Sequence, residues 1–391
     1  MAVVQLRAER LVAGGDALAR EPSGRIVFLQ GALPGETVRA RVTAEWRDYA
    51  RGVADEVVSA SPLRTTPPCR FVTAGCGGCS WQHIDPAGQV ELKRAIVVEA
   101  LARTGGLVDA DVRVGPALDP WGFRTTLRMA VDDDGLAFRG AHSHDLVLVD
   151  DCLVAHPRLA ELLATSRFPG ASEVTLRCSA STGERVALVD PPAAERSAVL
   201  PADVMVGRRA VFHEDIAGVR LRVSAPSFFQ SRADGAAALV ALVDAAVAAD
   251  GAAAPGTVVD AYAGVGLFAA TVARDAEVVC IEQSRSACND ATHNLAGRAA
   301  TIVQGRIERW RPHPADLVIA DPSRKGLGRR AVEVLSATAA ARLVLVSCDA
   351  VALARDARLL ASAGFVHRSS TVVDLFPHTA HVEVVSQFDR E

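Results

Sequence analysis

Lysine is almost missing from this sequence: only Lys93 and Lys325 stand among 42 lysines and arginines, so nearly every positive charge is a guanidinium. Set against 46 acidic residues, they leave a formal net charge of -4. That does not announce a nucleic-acid binder, but an evenly mixed surface can still carry a local basic groove, so charge leaves the partner open. Long apolar runs are missing too. The longest, AAALVALVDAAVAADGAAAPG, is broken by Asp244 and Asp250 before the roughly 20 residues a membrane span requires. MAVVQLRAERLVAGG has charges where a signal peptide would have its hydrophobic region. This predicts a reducing cytoplasm, where the eight cysteines are thiols or metal ligands and not disulfides. No internal repeat or low-complexity tract stands out beyond an alanine bias, which excludes a repeat architecture.

With 391 residues, half of them apolar, the chain can build two or three domains with sizeable cores. Residues 1–60 read as short strands, QLRAERLVAGGDALARE, GRIVFLQG and ETVRARVTAEWRDYARGVADEVVSA, broken at GG and LPGE. Such a run predicts a small closed β-barrel. Proline-bearing SPLRTTPP opens a central α+β region, 61–226, with a helical pattern over about 88–104 expected to pack on the catalytic part. Strands such as LAFRG, LVLVDDC, VTLRC, RVALVD and RLRV follow it. Over 227–391 apolar strands alternate with amphipathic helices and end in two closely spaced strands, the pattern of a doubly wound α/β, Rossmann-like sheet.

VVDAYAGVGLF puts Asp260 at a strand end and Gly264 and Gly266 in the turn before a helix, where the backbone can approach a ligand closely. Glu282 ends the next strand in VVCIEQS, placed for a ribose diol. Gly264 to Ala269 also fits a dinucleotide fingerprint. The Asp-x-Tyr-x-Gly lead-in through Tyr262 resembles instead the motif of methyltransferases using S-adenosylmethionine (SAM). In LVIADPSRKG, Asp321 ends the fourth strand, and Arg324 stands where methyltransferases acting on base amino groups carry a stacking aromatic. An arginine there fits a phosphate or a polarised carbonyl. Cys348 ends the fifth strand in LVLVSCDAVALARD, before a helix whose N-terminal dipole would favour a thiolate. VVDLFPHTAHVEVV supplies His378, His381 and Glu383. Two histidines without further ligands nearby argue for orientation or RNA contact and not for metal. Glu383 is either a solvated strand residue or a base opposite the nucleophile. Finally, CRFVTAGCGGCSW crowds Cys69, Cys76 and Cys79 into one loop, one thiol short of a tetrahedral site.

In order and spacing, SFFQSR, DAYAGVG, CIEQS, DPSRKG, VSCDAVALARD and FPHTAHVE resemble the RNA 5-methyluridine methyltransferases of the TrmA/RlmD type, from Ser227 to Val385. Iron-sulfur members of that family begin with a TRAM barrel and a cysteine-bearing central domain. The resemblance implies a class I methyltransferase domain behind a TRAM-like barrel and an α+β iron-sulfur domain. It places Gln230, Tyr262, Glu282 and Asp321 on SAM-contacting positions, Cys348 on the nucleophile and Glu383 on the general base. It also makes Cys152, in LVDDCLVAHP, the fourth cluster cysteine, while Cys178 is a packed thiol, Cys280 lies in a strand and Cys288 in a helix. Four thiolates suit a 4Fe-4S cluster, with structural zinc as the alternative. Methyl transfer from SAM needs no electron, so the cluster is expected to pin the central domain.

The implied partner is structured RNA, ribosomal or transfer, gripped by the barrel through Arg39, Arg41, Arg47 and Arg51, with no membrane contact and a monomeric chain. Departures from the family pattern are Ser323 and Asp349 in polar loops, and Leu267 and Arg306 at SAM-contacting positions. Cytosine C5 methylation shares the thiolate logic, but the nucleophile candidate Cys348 follows Ser347 and not Pro or Thr, and the Pro68-Cys69 pair lies in the cysteine loop. A non-catalytic RNA-binding iron-sulfur protein is the third alternative, against which Cys348, Glu383 and Gln230 stand.

Overall fold

The computed structural model describes residues 3–133, 135–141 and 143–391, so the first two residues of the expected barrel unit lie outside it. Alternating apolar side chains build the first unit. Strands β1 (Val3–Leu11), β2 (Ala17–Arg20), β3 (Ile26–Gln30), β4 (Thr37–Glu45) and β5 (Tyr49–Ser59) close a barrel in the order β1-β2-β3-β5-β4. Leu6, Ala8, Val27, Leu29, Val38 and Ala40 point into it. Gly52 in β5 lies beside a register break of β4, where a Cβ would stand 3.0 Å from the Arg41 carbonyl oxygen.

The one-turn helix α1 (Arg70–Thr73) sits in the cysteine loop, and α2 (Pro86–Ala100) follows. Asp85 caps α2 by accepting the Ala87 N–H, with Pro86 in the first turn. A π-helical turn, Leu101–Gly105, extends it until Gly106 adopts a left-handed φ of +77°. Next comes β6 (Val112–Val114), which pairs in parallel with a strand of the C-terminal sheet, Phe365–Val372. Residues from α2 to β6 therefore join the C-terminal core and not that of the central sheet.

The central sheet contains β7 (Thr126–Asp132), β8 (Gly135–Arg139), β9 (Leu146–Leu148), β10 (Glu173–Cys178), β11 (Arg185–Asp190) and β12 (Val204–Val206), in the order β12-β11-β10-β7-β8-β9. Helix α3 (Pro157–Thr165) packs on it through Leu159 and Leu162, closing a separate core around Leu127, Met129, Val174 and Leu176. The hairpin β13 (Val211–Ile216) and β14 (Val219–Ser224) leaves this sheet and packs on the C-terminal domain.

That domain runs α4 (Ala233–Val247), β15 (Thr257–Ala261), α5 (Leu267–Thr271), β16 (Glu277–Glu282), α6 (Arg285–Asn294), β17 (Ala300–Gln304), β18 (Leu317–Ala320), α7 (Gly328–Ser336), β19 (Arg342–Ser347), α8 (Ala350–Ser362), β20 (Phe365–Val372) and β21 (Val384–Arg390). Its eight-stranded sheet has the order β17-β16-β15-β18-β19-β21-β20-β6, with β21 antiparallel to both neighbours. β15, β18 and β19 are almost wholly buried, as parallel strands covered on both faces must be. The strand order reverses between β15 and β18, so the carboxyl ends there open a crevice. Barrel residues share one continuous core with Trp81, Ile96 and the α7–α8 face. Among the described residues no helix is long and apolar enough to cross a membrane.

Candidate active site

A cavity of about 570 Å³ occupies that crevice. The turn after β15 shapes one half of it. Tyr262, Gly264 and Gly266 take positive φ values of +63°, +55° and +84°, uncommon for a tyrosine, and the chain coils tightly over the sheet end. This coil delivers the Gly264 N–H to Glu282 Oε2 at 3.1 Å, while the Ser284 N–H reaches Oε1 at 2.6 Å, so Glu282 is held in place at the cavity wall. Gln230, Tyr262, Gly264, Glu282, Asp321, Leu267 and Arg306 all line the cavity, Arg306 standing 3.5 Å from Glu308. Gly266, expected to contact cofactor, does not line it. It begins α5, and a Cβ there would meet Leu295 at 3.4 Å, so its role is backbone conformation and close helix approach.

Asp260 lies beneath the turn, fully buried. Its Oδ2 accepts the Ala269 N–H at 3.0 Å and its Oδ1 has no partner among the described residues. Burial, with Asp321 and Glu282 nearby, pushes its pKa up to about 7.

Cys348 and Glu383 face the other half of the cavity. Asp349, directly after the nucleophile candidate, caps α8 by accepting the Ala352 N–H at 2.7 Å, so it shapes the helix start, and it is not among the residues lining the cavity. The helix N-terminus was expected to favour a thiolate. Burial outweighs it, aided by Glu383 and Asp321, and the thiol is pushed up to about 12 with only Arg324 and a backbone hydrogen bond opposing. Glu383 is 2% exposed, and burial and Asp321 hold its carboxyl well above the usual range. Asp321 is itself pushed up to about 7 by burial. Arg324 donates to His381 Nε2 at 3.3 Å; burial first, then Arg324, brings this imidazole down to about 4, so it is neutral. His378 turns away from the cavity: it is buried, stacked 4.0 Å from Trp121, and orients the loop.

Sequence reasoning missed two supports of this site. Asp356, on the buried face of α8, accepts the Leu327 N–H at 2.6 Å and the Gly328 N–H at 3.0 Å, which pins the loop carrying Arg324. A lone aspartate among Leu353, Ala357 and Leu360 was the available signal. Phe228, 72% exposed beside Gln230, lines the cavity mouth. On the barrel, Arg39 is paired with Glu56 at 2.8 Å and Arg41 with Asp55 at 3.0 Å, which leaves Arg47 and Arg51 as the freer of the four expected RNA contacts. Arg47 lies next to Trp46, itself stacked on Tyr49 with ring centroids 4.5 Å apart.

Cys69, Cys76, Cys79 and Cys152 line one second cavity with Arg124 and Gln82. The quartet implied by the resemblance therefore converges from two distant segments. Its donor chemistry fits a four-thiolate group. The cavity between them is small, about 20 Å³, and among the described residues no three His, Cys, Asp or Glu side chains form a ready-made metal site. Cys178 and Cys280 are packed in cores, and the Cys288 thiol donates to the Glu282 carbonyl oxygen at 3.3 Å.

Comparison with known proteins places these features in context. The TRAM domain model matches residues 5–54. An uncharacterized RNA methyltransferase of Streptomyces avermitilis is 34% identical over 95% of this chain and 95% of its own length. The 23S rRNA (uracil(1939)-C(5))-methyltransferase RlmD of Halomonas elongata is 33% identical over 97% of this chain and 88% of its own. Among solved structures, the Pyrococcus abyssi tRNA (uracil-54, C5)-methyltransferase superposes with a TM-score of 0.74 at 23% identity, covering 98% of this chain and all of that one.

Proposed function

Since the chain belongs to the RNA (uracil-C5)-methyltransferase family of the TrmA/RlmD type, we propose that it methylates C5 of a uridine in structured RNA through a covalent Cys348 adduct, with Glu383 as the base that removes the C5 proton. The observation that carries this is one cavity lined by Cys348, Glu383 and Asp321 at one end and by Tyr262 and Glu282 at the other. SAM, when bound, supplies an electrophilic methyl group on a sulfonium. Glu282 is oriented by two backbone N–H groups to accept from a ribose diol, and Gln230 and Tyr262 line the same wall.

Uracil C5 is a poor nucleophile until sulfur adds at C6. The C5–C6 π pair then shifts into C4–C5 as the carbonyl π pair moves to O4, giving an enolate whose C5 would take the methyl group as the sulfonium S–CH3 bond breaks and S-adenosylhomocysteine leaves with that pair. Glu383 takes the C5 proton, that pair restores the double bond, the C6–S bond breaks, and Cys348 is returned. Arg324 is the cation beside the thiol and favours its ionised form. Both addition and proton removal need the base outside its stack, so the uridine enters flipped. We further place a 4Fe-4S cluster, with zinc as the alternative, on Cys69, Cys76, Cys79 and Cys152, as a staple of the central domain through which no step of methyl transfer runs. Four thiolates there absorb near roughly 400 nm when they hold iron-sulfur, whereas elemental analysis finds zinc otherwise.

RNA labelled with tritium at uridine C5 should release tritium when incubated with the protein and SAM, and nucleoside mass spectrometry should find 5-methyluridine. Release by a Cys348→Ala variant would sink the covalent route, and 5-methylcytidine in the product would move the reading to cytosine.

A further inference from the structure

We propose that Lys93 is a positioning residue for proton removal: from helix α2, outside the catalytic strands, it fixes the segment 374–383 that carries Phe376, His381 and Glu383 to Cys348. The proposal rests on Glu383 being the base.

The chain keeps only two of its 42 basic residues as lysine, and one of these is 0% exposed. Lys93 Nζ stands 2.6 Å from Asp374 Oδ1, donates to the Phe376 carbonyl oxygen at 2.9 Å, and lies 5.7 Å from the Trp81 ring centroid. A compact ammonium with three donors suits this point; a planar guanidinium on a longer reach does not. One turn earlier on the same helix face, Gln89 Oε1 accepts the His378 N–H at 2.6 Å and its Nε2 donates to the Ile84 carbonyl oxygen at 2.9 Å. His378 adopts a left-handed φ of +63°, and its carbonyl oxygen accepts the Trp81 N–H at 2.8 Å. The barrel closes on the same segment: a Cβ on Gly15 would stand 2.5 Å from Ala380. At the neck of the loop the Val373 N–H donates to the Glu383 carbonyl oxygen at 2.9 Å. The backbone of Glu383 is held on one side by β21, whose Val384 pairs with Ser347 beside Cys348, and on the other by the segment 374–381, which is clasped from α2 and the barrel.

A buried ion pair is a weak stabiliser, since well-packed apolar side chains of similar volume often serve as well. Stability alone does not account for Lys93, whereas geometry at Glu383 does. Misplacing a reacting group by an ångström costs about 100-fold in rate.

The test uses the full chain carrying Lys93→Met. SAM affinity by calorimetry should match the parent, because the SAM wall is built from β15 and β16. Turnover should fall about 100-fold, while a covalent RNA–protein band, already methylated at C5, persists on denaturing gels, because addition proceeds and proton removal lags. Glu383→Gln calibrates the band. If that variant traps no adduct, the base assignment fails and not the clasp; if it does and Lys93→Met does not, the clasp is wrong. Parental turnover, or a loss of SAM binding, adduct and turnover in step with the folded fraction, also overturns the proposal. Should Lys93→Met not fold, Lys93→Met/Asp374→Leu removes both charges and should fold with the same split. Parental turnover of the double variant, or its failure to fold, reduces Lys93 to a structural staple.

Discussion

Cys348 and the quartet Cys69, Cys76, Cys79 and Cys152 are all part-buried thiols, and desolvation is the largest influence raising Cys348, Cys76, Cys79 and Cys152 above the ordinary thiol range. Their company differs. Cys348 faces Glu383, Asp321 and Arg324 across a cavity of about 570 Å³, whereas the quartet thiols face one another and Arg124 across about 20 Å³. Burial alone therefore does not distinguish the proposed nucleophile from the proposed ligands. A large cavity shared with carboxylates marks the first, and convergence of thiols around a small space marks the second.

The largest effect expected is the one that removes the proposed nucleophile. Cys348→Ala should lower tritium release by four orders of magnitude or more, on the order of losses seen when an attacking side chain is deleted, with SAM binding unchanged. Glu383→Gln should follow at about 10²–10⁴-fold, and differ in kind because the methylated RNA stays attached to Cys348. A denaturing gel tells the two apart, and a Glu383→Gln variant with free product would break the division of labour proposed between thiol and carboxylate.

The quartet should behave in the opposite sense. Cys79→Ser should abolish any absorbance near 400 nm and lower the unfolding midpoint, yet the rate per folded molecule on saturating RNA should change by less than about threefold, because no step of methyl transfer passes through these thiols. Thermal unfolding and single-turnover rates measured on the same preparation check this. A turnover loss as deep as that of Cys348→Ala would erase the distinction between the two thiol sites.

Much of this was readable before any coordinates. Strand alternation marked the barrel, and the catalytic strands TVVDAY, EVVCIE, ADLVIAD and RLVLVSCD fall at β15, β16, β18 and β19, because buried parallel strands leave near-continuous apolar runs. Seven of the eight candidates Gln230, Tyr262, Gly264, Gly266, Glu282, Asp321, Cys348 and Glu383 line the cavity, all but Gly266. What stayed hidden depends on contacts between distant segments. Packing of the helix at about 88–104 on the catalytic part was expected from its pattern, but the parallel pairing of β6 with β20 is encoded by no local pattern. Likewise Lys93 meets Asp374 across 281 positions of sequence, and Asp356 holds a loop some 28 positions away. The thiol expectation at Cys348 erred for a related reason: a helix start is local and visible, while the burial that outweighs it, and the carboxylates that add to it from β18 and the neck of the last loop, come from distant segments.

That error yields the subtlest test of the comparison, a shift in pH and not a loss of rate. Alkylation of Cys348 by iodoacetamide requires the thiolate, so its rate should rise with pH and level off only far above the range of an exposed thiol. Asp321, held up to about 7, loses its proton before the thiol, which is held up to about 12, and Glu383 is expected to do so as well. Across the thiol's titration both carboxylates then carry charge and oppose a second anion. Glu383→Gln removes one of those charges, so the thiolate becomes easier to form and the midpoint of alkylation, followed on the Cys348 peptide by mass spectrometry, should move to lower pH. The same substitution should leave alkylation of Cys79 where it was, since Glu383 is not among the groups acting on it. A midpoint for Cys348 that stays put or climbs would mean that burial alone, and not its neighbours, sets this thiol apart from the quartet.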